Sequence, residues 1–210
     1  MRSVSLLLII GLTACADANG PKLPPAALSI IAGDAQTDTV ARMLPVSIVA
    51  RATTGGGQSA PQVVVNWYRI AGADTVFAGA ALTNAQGEAQ LRWTLLSKAG
   101  AQQLAAWVID DAGVRQLSAQ ATATATHDRA TVVLGARAET VTVAIGAPIF
   151  DHDSYSAAYD RFGNWAGPMR WQPATNWRVS ADTAWCDVPG LYTMNLALDD
   201  VTSLLHVRVQ

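Results

Sequence analysis

Asn84-Ala85-Gln86-Gly87-Glu88-Ala89-Gln90-Leu91-Arg92-Trp93-Thr94-Leu95 alternates residue by residue once its turn has passed. Ala89, Leu91, Trp93 and Leu95 point one way, and Glu88, Gln90, Arg92 and Thr94 the other. A period of two is the signature of a strand with one dry face and one wet face. Asn84 to Gly87 supplies the turn before it, with glycine at the position that needs a positive φ. A strand of this kind must bury its apolar face against a second layer.

The same pattern spreads in both directions. Upstream, Val46, Ile48, Ala50 and Ala52 share a side opposite Ser47 and Arg51, and Val63, Val65 and Trp67 form the face of the next strand. Downstream, Leu104, Ala106 and Val108 lead into an Asp110-Asp111-Ala112-Gly113 turn. The return strand carries Leu117, Ala119, Ala121, Ala123 and Ala125 on one side, with Ser118, Gln120, Thr122, Thr124 and Thr126 on the other. No helix-period stretch of useful length interrupts these runs. Strands about every ten residues with turns between them specify an antiparallel sandwich.

From His127 a second set of strands is expected at Thr131 to Leu134, Thr140 to Ile145, Trp177 to Ser180, Tyr192 to Leu198 and Ser203 to Val209. Asp199-Asp200 turns the final pair, and Leu205, Val207 and Val209 face inward. Ala147 to Pro173 reads as the least regular part. Within it the loop residue Trp165 follows Gly163-Asn164.

Composition supplies ample material for buried cores. Half of the 210 residues are apolar and 14% are charged, with 14 basic against 16 acidic side chains and a net charge of −2. Basic runs are absent, so nucleic acid, which needs clustered cations to replace its counterions, is not expected as a partner. The longest apolar run, Val4 to Leu12, is about half of the ~20 residues needed to span a bilayer. It follows Arg2 and precedes small residues, which is the layout of a secretory signal. Ala16 to Pro25 is polar and proline-rich, an extended spacer.

Leu12-Thr13-Ala14-Cys15 resembles the lipobox of bacterial lipoproteins. That resemblance implies cleavage before Cys15, lipidation of Cys15, and anchoring to a membrane in the cell envelope. Ala16 after the cysteine leans toward the outer membrane by the same analogy. Cys186 is then an unpaired thiol, read here as buried and inert.

Gly33-Asp34-Ala35-Gln36-Thr37, Leu44-Pro45, Val63 to Trp67, Thr83 to Ala89, Trp93-Thr94-Leu95 and Ala99-Gly100, in that order, resemble the invasin/intimin-type bacterial immunoglobulin-like domains. Thr54-Gly55-Gly56-Gly57 departs from that pattern and suggests a longer, more mobile loop. Trp177 to Ala184 with Pro189-Gly190-Leu191 is similar to a second group of bacterial Ig-like repeats, in which Asp160-Arg161-Phe162-Gly163-Asn164 also recurs. The expected architecture is all-β. A signal peptide (1–14) and a lipidated linker (15–25) precede two tandem antiparallel immunoglobulin-like β-sandwiches, residues 26–126 and a degenerate second copy, residues 127–210.

Catalytic chemistry is not expected. The sequence has neither a nucleophile elbow nor zinc-type ligand spacing, and no cofactor is implied. His206 alternates with core residues and faces solvent, while His127 sits between the two units. Asp151, Asp153 and Asp160 are weak candidates for an oxygen-ligated cation. Trp165 and Trp171 are candidates for a surface that stacks on a glycan or enters a protein pocket. The functional expectation is a non-enzymatic adhesive, scaffold or spacer lipoprotein, with a glycan- or peptide-binding module as the alternative.

Overall fold

The computed structural model describes residues 23–110, 112–135, 140–150, 156–180 and 182–210. All regular structure in them is β. Eight strands come first: β1 (Pro25–Ala32), β2 (Gln36–Thr39), β3 (Ile48–Thr54), β4 (Val64–Ala71), β5 (Asp74–Leu82), β6 (Glu88–Leu91), β7 (Gly100–Ile109) and β8 (Arg115–Thr126). A three-stranded sheet, β1-β3-β6, packs on a five-stranded sheet, β2-β8-β7-β4-β5. Val40, Leu44, Ile48, Ala50, Val65, Trp67, Ala89, Trp93, Leu104, Ala106, Ala121 and Ala123 meet between them in one buried cluster.

Ten strands follow: β9 (Ala130–Leu134), β10 (Val141–Val143), β11 (Ile149–Phe150), β12 (Ala157–Asp160), β13 (Trp165–Pro168), β14 (Arg170–Trp171), β15 (Trp177–Val179), β16 (Thr183–Cys186), β17 (Gly190–Leu198) and β18 (Val201–Val209). Their sheets are β10-β18-β17-β14, β13-β12-β9 and β11-β16-β15. A second cluster, from Ala130 to Val209, fills the space between them.

The two units repeat one plan, that of an immunoglobulin-like sandwich. Each ends in a long antiparallel hairpin, β7–β8 and β17–β18. In each, a short early strand lies parallel to the last one, β2 on β8 and β10 on β18. A buried tryptophan faces the penultimate strand in both, Trp67 opposite Ala106 and Trp171 opposite Leu196. Gly100, Gln102 and Leu104 open β7 as Gly190, Tyr192 and Met194 open β17.

This repetition explains why Trp171 is core. It is 4% exposed, so Trp171 is not available as part of a binding surface. Burying a ring of its size removes roughly 150–250 Å² from water, about 4–6 kcal/mol at ~25 cal/mol/Å². The indole N–H groups of Trp67, Trp93, Trp171 and Trp177 are buried without an acceptor. That offsets part of the gain, by about 1–3 kcal/mol each.

Other expectations are corrected. Val46 is exposed, because β3 starts only at Ile48 and the Val46 backbone is held by the Gln36 amide through bonds of 3.0 and 2.9 Å. The Thr54–Gly57 segment is a closed turn, with Thr54 N–H donating to Gln58 O at 2.8 Å and Gly57 N–H to Thr54 O at 2.9 Å. Between Ala147 and Pro173 the described residues form β11 to β14, whose two to four residues are too few to display a period. Trp165 begins β13 and is not a loop residue. Trp177 is buried, whereas Trp185 on the facing strand is half-buried, with the Arg178 guanidinium 5.9 Å from its ring centre.

Two glycines are required by close approach as well as by φ. A Cβ on Gly87 (φ +75) would lie 2.5 Å from Ala52 O, and one on Gly33 (φ +80) would lie 2.3 Å from Ser47 O. Gly87→Ala is expected to destabilise the protein by about 2 kcal/mol or more, measured as a lowered midpoint in urea unfolding followed by tryptophan fluorescence.

Candidate functional site

The most completely built polar site is the joint between the two sandwiches. β12 ends at Asp160, and Asp160 to Asn164 turns the chain back into β13. Gly163, at φ +82, lets its N–H reach Asp160 O at 3.0 Å, and Asp160 N–H reaches Asn164 O at 2.9 Å. The Asp160 side chain is 1% exposed. One carboxylate oxygen accepts from Phe162 N–H (2.8 Å) and Asn164 N–H (2.9 Å). The other accepts from Asp128 N–H and from Asn164 Nδ2, both at 2.9 Å.

Burial alone works to raise the Asp160 pKa. The Asn164 amide and the three backbone N–H groups outweigh it and hold the pKa below the ordinary value of 3.8. The carboxylate is therefore ionised and fully engaged at neutral pH. This corrects the reading of Asp160 as a cation ligand, since its oxygen lone pairs are already used. Asp151 and Asp153 lie outside the described residues, as does Cys15.

Asn164 faces both ways. While bonded to Asp160, its Nδ2 also donates to Ser97 O at 2.7 Å, and its Oδ1 accepts from Ala99 N–H at 2.7 Å. The receiving loop is itself braced. Gln102 Nε2 donates to Lys98 O (2.8 Å) and Leu96 O (3.2 Å), and its Oε1 accepts from Leu96 N–H (2.8 Å). At the matching place in the second sandwich Tyr192 Oη donates to Val188 O at 3.0 Å. That is the tyrosine corner of this fold, with glutamine doing the same bracing in the first sandwich.

The connection between the sandwiches is pinned along its length. Asp128 pairs with Arg161 at 3.2 Å and Arg129 with Asp200 at 2.6 Å, while Ala130 N–H donates to Asp199 Oδ2 at 2.8 Å. The ion pairs are exposed and worth little singly, about 0–1 kcal/mol. The bonds that cross between the sandwiches are those of Asn164 with Ser97 and Ala99, and Asp160 holds Asn164 in place to make them.

Among the remaining candidates, Trp165 is 59% exposed at the edge of its sheet, paired with Tyr159 and two residues beyond Gly163. Phe162, in the same turn, is 39% exposed under the Arg161 guanidinium at 4.7 Å. The structure thus separates the two tryptophans read together from sequence, one outward and one in the core. Cys186 is buried and free, with its thiol donating to Val188 O at 3.3 Å. His206 is exposed beside Thr193 at 3.0 Å. The joint was missed as a unit because Asn164 and Ser97 are 67 residues apart. Its available signal was the Asp160-to-Asn164 motif.

No family model and no curated protein matches the chain. Among solved structures it resembles the titin Ig tandem domains A164-A165, at 12% identity and a TM-score of 0.36, over 90% of this chain and 99% of that one. A tetra-tandem repeat from the extending region of a large adhesion protein aligns at 14% identity and a TM-score of 0.39, over 88% of this chain and 49% of that one. Fibronectin(III)-like modules of Clostridium thermocellum CbhA align at 13% identity and a TM-score of 0.32, covering 49% of this chain and 99% of theirs. The fold is all-β and immunoglobulin-like on the evidence of its own strand order.

Two outcomes follow from the geometry. Asp160 has a depressed folded pKa, so its contribution is full at neutral pH and is lost as the pH falls below about 4 through that pKa. Asp160→Asn turns one acceptor into a donor facing donors. It is expected to cost about 2–4 kcal/mol at neutral pH and to flatten the acid limb of thermal midpoint against pH. Trp171→Ala is expected to cost about 3–5 kcal/mol and Trp165→Ala less than about 0.5 kcal/mol, compared by chemical denaturation.

Proposed function

We propose that this chain is a non-enzymatic, lipid-anchored protein of the bacterial cell envelope, carrying two Ig-like sandwiches as a stiff spacer or adhesive scaffold. The observation that carries the reading is the hydrogen-bonded joint. Two sandwiches joined by a bare linker reorient freely, whereas a side chain donating and accepting across the boundary fixes one orientation. Stiffness of this kind suits a module that presents its far end at a set distance.

The anchoring part rests on Leu12 to Cys15. Their pattern supports cleavage before Cys15 and lipidation of that cysteine, probed by metabolic labelling with radiolabelled palmitate. Wild type takes up label and Cys15→Ser does not; equal labelling of the two would sink the anchor. Protease shaving of intact cells then separates surface display from a periplasmic position.

The spacer part is tested by small-angle scattering. Asn164→Ala removes the bonds to Ser97 and Ala99, and it is expected to broaden the distance distribution while each sandwich keeps its fold. An unchanged distribution would count against the joint as the source of stiffness.

A glycan- or peptide-binding role is the second reading, favoured by the exposed rings of Phe162 in the β12–β13 turn and Trp165 at the start of β13. Loss of glycan-array signal in Trp165→Ala supports it, and a silent wild-type protein removes it.

A further inference from the structure

The five-stranded sheet of the first sandwich ends on β5, which pairs with β4 on one side only. A sheet edge presents unpaired N–H and C=O groups, and folded proteins ordinarily blunt it with shortness, proline, charge or bulges. The other edge strands here follow that rule. β2, β6, β9, β10, β11, β13, β14 and β15 have two to five residues. β1 has eight but opens with Pro25 and carries two register shifts.

β5 is different. It runs nine residues, and from Thr75 to Leu82 (Thr-Val-Phe-Ala-Gly-Ala-Ala-Leu) it holds neither charge nor proline. Its one irregularity is the register shift that lets Trp67 face Gly79 and Tyr68 face Phe77. Val76, Phe77 and Leu82 are 49%, 56% and 56% exposed.

A row of rings leads to this edge. The Arg115 guanidinium sits 4.8 Å over Trp107, Trp107 stacks on Tyr68 at 4.3 Å, and Tyr68 meets Phe77 edge-on at 5.6 Å. The row stops at Phe77, which has a neighbour on one side and solvent on the other. A further strand would continue it, since directly opposed side chains sit ~4.5–5.5 Å apart.

We propose that the occupant is β5 of a second copy of this chain, paired antiparallel about a two-fold axis. Self-pairing of an edge is isologous, so whatever β5 carries must tolerate facing itself. An uncharged run of small and apolar residues does so, because it brings no like charges together. Phe77 of each copy then extends the ring row of the other, and two five-stranded sheets become one continuous sheet.

The test is sedimentation velocity on the full chain in density-matched detergent, over a wide concentration range. Wild type is expected to show a monomer–dimer equilibrium. Val76→Lys is expected to weaken dimerisation about tenfold or more, because each copy then places a charge on the very edge it must pair, one residue from the two-fold axis. Thr75→Pro, tolerated at an edge, serves if the lysine variant does not fold. As an independent readout, Thr75→Cys, Val76→Cys and Phe77→Cys are oxidised singly in the Cys15→Ser background. At least one is expected to give a disulfide-linked dimer, while Leu191→Cys on the second sandwich does not. Wild type that stays monomeric throughout, or a dimer that the lysine and proline variants leave unchanged, would overturn the proposal. So would capture of an unrelated extended peptide by β5 with no dimer formed.

Discussion

A buried carboxylate surrounded by N–H groups holds the second sandwich in shape and in place. Asp160 alone could not remain charged at 1% exposure; four donors make it stable there. The donors come from the connecting segment, from its own turn and from Asn164. One ionised group thus ties the entry strand of the sandwich, the β12–β13 turn and the partner of the neighbouring sandwich together. If it is removed, the turn loses its reason to close and Asn164 loses its aim at Ser97 and Ala99.

The far side of the joint shows the same economy. Gln102 occupies the place that Tyr192 fills in the second sandwich, near the start of the penultimate strand and two residues before a buried side chain. Both reach back to the preceding loop. The glutamine makes three bonds there and leaves Ser97 O and Ala99 N–H pointing outward to Asn164. In this way the core of the first sandwich, through β7, is coupled to the turn of the second. The cores stay separate, so a perturbation crosses between them through polar contacts whose strength depends on ionisation of Asp160.

The resemblance of the two halves is stronger in topology than in sequence. Trp67 and Trp171 occupy one position, yet their sequence surroundings differ: Val63 to Trp67 alternates cleanly, whereas Trp171 stands in a two-residue strand. With so short a strand nothing local distinguishes a core ring from an exposed one. Trp165, six positions earlier, has similar surroundings and the opposite fate. Strand pairing decides between them. Both β13 and β14 are edge strands, but Trp171 pairs in register with the fully buried Leu196 of the long hairpin and Trp165 with the half-buried Tyr159.

The sequence by itself determined the all-β class, the long strands other than β1 and β5, their inward faces and the main turns. In strands of seven to twelve residues, alternation is repeated often enough to fix which side is dry, and glycine at a positive φ marks where the chain must reverse. Tertiary structure alone decided the short strands between Ile149 and Trp171, the burial of Trp171, the start of β3 after Val46 and the engagement of Asp160. Each of these depends on partners tens of residues away, such as Asn164 with Ser97 or Trp171 with Leu196. Local periodicity reports which face is apolar. It carries no information about which distant backbone will supply the hydrogen bonds, and that pairing is what turned the Asp160-to-Asn164 motif from a possible ion site into a joint.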